Sequence, residues 1–288
     1  MLADAFAAER LRFFKARGTV FWSLGFVPLV SILIGLIQGL LMRNLLGKAA
    51  AAGNPAAALG RAPVSLLNQA VEAVSGSNFF IVQLFFLIAA SAILAGDYRW
   101  ETWRFLTPRN TRANLLLGKI ATFGLVTVIG LVLLALGGIV AGLLSAVLTG
   151  GGVVWQAAEG NTNAQLVGMF GIAFLEMMAL GALAAVLAVA TRAGLAALLV
   201  PVGVWIVQGF AVSQLQKGFE NPLEPPLQYL LGFPVLQSDL LKAALSPPQM
   251  GVAPEISWPV ALVGMIAWIA ALTALAVWLF QRQDLTRE

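Results

Sequence analysis

An all-α, polytopic membrane protein with six transmembrane helices is the fold class this sequence predicts, on three observations. Hydrophobic residues fill 60% of the 288 positions and charged residues only 10%, whereas soluble domains carry about 25% charged. Apolar runs near residues 20–42, 79–95, 115–148, 164–190, 195–212 and 259–280 meet or approach the roughly 20 helical residues that cross a hydrocarbon core. Gly, Ala and Leu dominate these runs without the alternation of a membrane barrel strand. Helices are then the expected spanning form, because each satisfies its own backbone polar groups in lipid.

Ahead of the first run, residues 1–18 read as an interfacial helix. Leu2, Phe6 and Phe13 share one helical face, Arg12 and Lys15 lie off it, and Arg10 and Arg17 flank it where their stems can snorkel. The first run is too long for a cleaved leader and ends without a small-residue cleavage site, so it is expected to stay as a span. Within it, Gly35-x-x-x-Gly39 permits close helix approach, as Gly138-x-x-x-Gly142 does in the third. An Ala/Gly-rich connection of uncertain order covers 43–78. A charged loop, 97–114, joins the second and third spans. Pro201 is expected to kink the fifth. The long segment 213–258 holds seven of the 13 prolines, and its stretches 227–234 and 238–245 suit short re-entrant or surface-capping helices. No internal repeat or second domain is visible; 1–288 reads as a single transmembrane domain.

Lys and Arg set the orientation, since basic residues near span ends are retained in the cytoplasm. With both termini inside, twelve basic residues fall on the inner face and five on the outer, including Arg43 and Lys48 directly after the first span. The net charge of +4 then reflects topology rather than nucleic-acid binding.

The chain has no Cys and no His. Disulfides, thiolate or imidazole metal sites, and Cys-His or Ser-His catalytic pairs are excluded. Gly47-Lys48 and Gly118-Lys119 lack the first glycine and the hydroxyl residue of a phosphate-binding loop, so ATP is not expected to be bound here in the usual way.

The loop between the second and third spans is the most specific feature. Asp97, Tyr98, Arg99, Trp100, Glu101, Thr102, Trp103, Arg104 and Phe105 interleave charge with aromatics, a mixture typical of protein contact surfaces and equally of an interfacial aromatic belt. The second span can continue as a helix to Leu106, with Glu101 and Arg104 paired at i, i+3. Pro108 stops it, and Asn110 or Thr111 can cap the next helix.

Glu101-Thr102, Arg104-Phe105-Leu106, Pro108, Arg112 and Leu115 to Lys119 resemble the loop of ATP-binding-cassette (ABC) permeases of the ABC-2 type. Here the acid adjoins the threonine directly, so either Asp97 or Glu101 matches the family's acidic position. The resemblance extends loosely over the whole chain: six spans, the amino-terminal amphipathic segment, the tight turn at Thr191-Arg-Ala-Gly194 and the tail 280–285. It implies a non-catalytic exporter subunit of the bacterial inner membrane, working as a homodimer with two copies of a separate ATPase that carries the ATP and Mg. Asp97, Arg99, Glu101, Thr102, Arg104, Phe105, Pro108, Arg109, Arg112 and Lys119 are the coupling residues it implies. It also allows for accessory extracytoplasmic proteins, and for short helices before the last span that cap the outer exit.

Glu176 stands near the middle of the fourth span, where a carboxylate costs several kcal/mol unless paired, protonated or wet, and no basic residue is expected at that depth in any span to neutralise it. Either it is protonated and hydrogen-bonded to one of Gln38, Gln83 and Gln208, or it faces an aqueous cavity and touches substrate or a cation. The second reading keeps a rival function class open: an ATP-independent secondary transporter, or a channel-like scaffold, using Glu176. Paired broken helices and internal symmetry, the marks of many secondary transporters, are not seen. The apolar interior tilts the expected cargo toward something lipid-like or amphipathic.

Overall fold

In the computed structural model, residues 1–52, 63–99, 102–103, 110–156, 162–218, 226–245 and 258–283 are described. Six helices are long and apolar enough to span a membrane. In chain order the elements are α1 (Leu2–Lys15), α2 (Arg17–Ala51), α3 (Leu66–Ser75), α4 (Phe80–Arg99), α5 (Arg112–Thr149), α6 (Thr162–Thr191), α7 (Gly194–Leu215), α8 (Leu227–Gly232), α9 (Pro234–Leu245) and α10 (Trp258–Arg282). Each expected span is present, and each runs past its apolar core at one end or both, α5 reaching 38 residues.

Because six spans alternate in direction, α1, the end of α4, the start of α5, the turn at Arg192 and the end of α10 share one end of the bundle. The segments before α4, after α5 and after α7 share the other. At that second end, two-residue strands β1 (Val64–Ser65) and β2 (Val153–Val154) pair in parallel, Val64 opposite Val153. Part of the 43–78 connection is therefore ordered: Ser65 caps α3 by accepting from the Asn68 N–H, and α3 buries Leu66, Leu67, Ala70 and Val74.

Burial follows position in the bundle. α6 is the most enclosed span, whereas α2, α7 and α10 turn much of their surface outward. Exposed Leu33, Ile37 and Leu41 on α2, and Leu199, Ile206 and Phe210 on α7, are the lipid-facing counterpart of a soluble protein's polar exterior. Both small-residue pairs are used within one chain. Gly35 and Gly39 receive Ala141 and Ser145 of α5, while Gly138 and Gly142 receive Gln69 of α3. At Gly138 an added Cβ would stand 2.6 Å from the Ala73 Cβ, so the approach exists only because that side chain is absent. Pro201 sits inside α7.

α1 departs from the expected face. Its buried line is Ala5, Glu9 and Phe13, while Leu2 is 45% exposed. The cause lies in α5: at Gly118 an added Cβ would meet the Ala5 Cβ at 2.9 Å, so the two helices touch along the Ala5 line and leave Leu2, Leu11 and Phe14 outward. Within 213–258, described residues form two short helices, α8 and α9, of which α9 packs on α10 and α6 and α8 on α10. The Trp268 indole N–H donates to the Leu231 carbonyl at 2.8 Å.

Candidate functional site: a buried ionic knot under the second-to-third-span loop

Where α4 ends and α5 begins, four charged side chains close on one another. Lys119, 1% exposed, is drawn in by Gly118 and by the α1–α5 contact. Its Nζ lies 2.7 Å from Asp97 Oδ2 and 3.0 Å from Glu9 Oε2, and donates to the Ile93 carbonyl at 2.7 Å. Arg12 completes the set from α1, with Nη1 2.7 Å from Asp97 Oδ1 and 3.1 Å from Glu9 Oε1. Two carboxylates face two cations, so the knot is neutral as a whole. Removing one member leaves a buried charge uncompensated, which costs about 3–5 kcal/mol.

The loop is roped to this knot. The Thr102 hydroxyl donates to Asp97 Oδ1, and the Thr102 N–H to the Asp97 carbonyl at 3.1 Å. Next to it, Trp103 is buried with its ring 5.2 Å from Lys119 Nζ and 4.4 Å from the Phe280 ring. A cation over an indole face adds attraction where water is excluded. The Tyr98 hydroxyl donates to Gln283 Oε1 at 2.9 Å, and Gln283 Nε2 to the Val189 carbonyl at 3.2 Å. Thr102 and Trp103 thus connect directly to α4, α5 and the end of α10, and through Asp97 to Arg12 of α1.

Among the residues expected at this site, Asp97, Thr102 and Lys119 come together. Of the two acids the resemblance offers, Asp97 meets Lys119, while Glu101 is not among the described residues. Arg112 stands apart from them: its Nη1 donates to the carbonyls of Phe280, Gln281 and Gln283 at 3.2, 3.1 and 2.6 Å, capping the last turn of α10, where orphan carbonyls and the helix dipole favour a cation. Thr111 is the N-cap of α5, accepting from the Asn114 N–H at 3.3 Å. Arg99 lines a cavity beside the knot. Glu101, Arg104, Phe105, Pro108 and Arg109 lie outside the described residues, as does the expected Glu101–Arg104 pair. Glu9 and Arg12 are the members that sequence reasoning missed. Their signal is the spacing Ala5, Glu9, Phe13, which puts the carboxylate on the line that α1 buries.

At the opposite end of the bundle the structure corrects the reading of Glu176. Its basic partner comes from outside the spans: Lys242 of α9 brings Nζ to 2.6 Å from Glu176 Oε1. The Ser238 hydroxyl donates to the same oxygen, and the Ser77 hydroxyl to Oε2 at 3.4 Å. None of the three glutamines bonds to it. Gln83 is fully buried in α4 with neither amide atom partnered, Gln208 has an unpartnered buried Oε1, and Gln38 borders a small cavity between α2 and α3. Beside the pair, burial pushes the Asp239 carboxyl up to about 6, with Lys242 opposing and the Glu176 charge adding.

No group of three or more metal-ligating side chains occurs among the described residues. The family described as "ABC-2 family transporter protein" matches the chain over residues 17–285. No curated protein matches it.

Proposed function

Since this chain belongs to the ABC-2 transporter family, we propose that its membrane-spanning permease activity is driven through the loop 97–114 by a separate ATPase. Two copies of the chain pair as a homodimer in the bacterial inner membrane, each docked to one ATPase subunit that binds the ATP and Mg. Closure of the ATPases pushes the loop, and the spans rock between inward and outward access to export a lipid-like or amphipathic cargo.

The observation that carries this reading is the knot itself. A loop acts as a lever only if its root is stiffly joined to what must move. Asp97 stands at that root and binds Thr102 of the loop, Arg12 of α1 and Lys119 of α5. A push on the loop is therefore shared by α1, α4 and α5 rather than absorbed by one helix end. Packed, discrete contacts of this kind transmit force because they have few intermediate arrangements.

Glu176 we assign to anchoring α9 against the bundle as a cap over the outer exit, not to cargo or proton coupling. Its carboxylate is already engaged by Lys242, Ser238 and Ser77, which takes away the feature that favoured an ATP-independent transporter.

Copurification tests the proposal. An ATPase subunit is expected to come down with the wild-type chain and to be lost when Glu101 and Arg104 are both reversed in charge. A chain that transports alone in liposomes under a proton gradient would overturn it.

A further inference from the structure

Beside the knot, at the bundle end that carries α1, a cavity of about 560 Å³ opens between α1, α4 and α7. Its lining holds four cationic side chains, Arg12, Arg99, Lys119 and Arg192, against the two acids Glu9 and Asp97. Lys119 is sealed inside the knot, but the three arginines come from three different elements: α1, the end of α4 and the α6–α7 turn. Arg192 sits in that turn with φ 56, a left-handed backbone that a non-glycine residue adopts only where the surroundings hold it there. The opposite wall is apolar, with Ile88 and Leu198, and it continues on α7 into Leu195 and Leu199, which are 72% and 54% exposed. The mouth lies where α4 and α6 end and α7 begins, the depth at which spanning helices of this length are expected to meet the lipid headgroups.

We propose that this cavity binds the headgroup of an acidic phospholipid. The phosphate sits among Arg12, Arg99 and Arg192, whose planar forks suit phosphate oxygens, and an acyl chain runs out along Leu198, Leu195 and Leu199. The apolar exit selects a lipid over a soluble phosphate, since only a lipid fills both halves of the site. The outward face of α1 fits the same surroundings, with exposed Leu11 and Phe14. The bound lipid touches Arg12, a member of the knot, so lipid composition would reach the root of the loop. The inference goes beyond the coupling proposal and does not require it, because lipid binding is read without any ATPase.

The test is native mass spectrometry of the purified full chain, equilibrated with equal phosphatidylglycerol and phosphatidylcholine of the same acyl chains. The wild type is expected to retain phosphatidylglycerol preferentially. Arg192→Asn removes the charge with a residue that tolerates a left-handed backbone, and is expected to lower that preference roughly tenfold, as for loss of one charge-assisted contact. Lys15→Gln, on the exposed surface of α1, is expected to leave it unchanged. Equal retention of the two lipids would overturn the proposal. So would Lys15→Gln matching Arg192→Asn, which would indicate surface attraction alone, or full displacement of the lipid by soluble glycerol phosphate, which would indicate a free-phosphate site.

Discussion

Lys242 and Glu176, 66 residues apart in the chain, meet with Nζ 2.6 Å from Oε1. The contact pins α9, which belongs to a connection between spans, onto the most enclosed helix of the bundle. Its chemistry sets the first expectation. Lys242→Met strands the Glu176 carboxylate and is expected to destabilise the protein by about 3–5 kcal/mol, whereas the double change Glu176→Gln with Lys242→Met recovers most of that. Thermal unfolding in detergent measures both. If Glu176 anchors α9 rather than touching cargo, the double variant keeps its export activity.

Asp239 gives the same region a pH dependence. Its pKa rises from 3.8 to about 6 on folding, so between those values the folded state binds more protons than the unfolded one. Stability from this group is present below about pH 4 and is lost as the pH climbs through 6. Asp239→Asn is expected to match the wild type at pH 4 and to exceed it by about 1 kcal/mol at pH 7, an allowance that discounts for partial exposure. A variant less stable than the wild type at pH 7 would contradict the burial argument.

Arg112 caps three carbonyls at the end of α10. Arg112→Gln removes a charged donor from a helix C-terminus and is expected to cost about 1–2 kcal/mol, mostly as local fraying. Hydrogen exchange should accelerate in the last turn of α10 and not in α6.

Gly118 is where α1 rests on α5. Gly118→Leu forces the Ala5 backbone away, since even a Cβ would stand 3.1 Å from the Ala5 carbonyl carbon. Overpacking of this kind costs about 1–3 kcal/mol. The specific expectation is that α1 becomes protease-accessible and that permease-dependent ATP hydrolysis falls while the six spans remain folded.

The spans were legible in the sequence because hydropathy over some 20 residues decides membrane insertion largely without tertiary context. Lys119 and, as one of two candidate acids, Asp97 were marked by the resemblance of the loop, and Thr111, as one of two candidate caps, by local chemistry. Glu9 was not. A helix buries the line its neighbour offers, and only the missing side chain at Gly118, more than a hundred residues on, makes that line Ala5, Glu9 and Phe13. The partner of Glu176 is hidden for a related reason: Lys242 arrives on a helix of the connection between spans, and nothing in the pattern of the fourth span points to it. Periodicity reports which residues share a face, not which distant element will cover it.

The absence of native cysteine makes the central claim directly testable. A single Arg104→Cys substitution places a thiol in the loop between the second and third spans, and its labelling by a membrane-impermeant maleimide is compared in intact cells and inverted membrane vesicles. The account predicts labelling only in inverted vesicles stripped of the ATPase, and protection of the thiol when the ATPase is bound. Labelling from the outside of intact cells would contradict it.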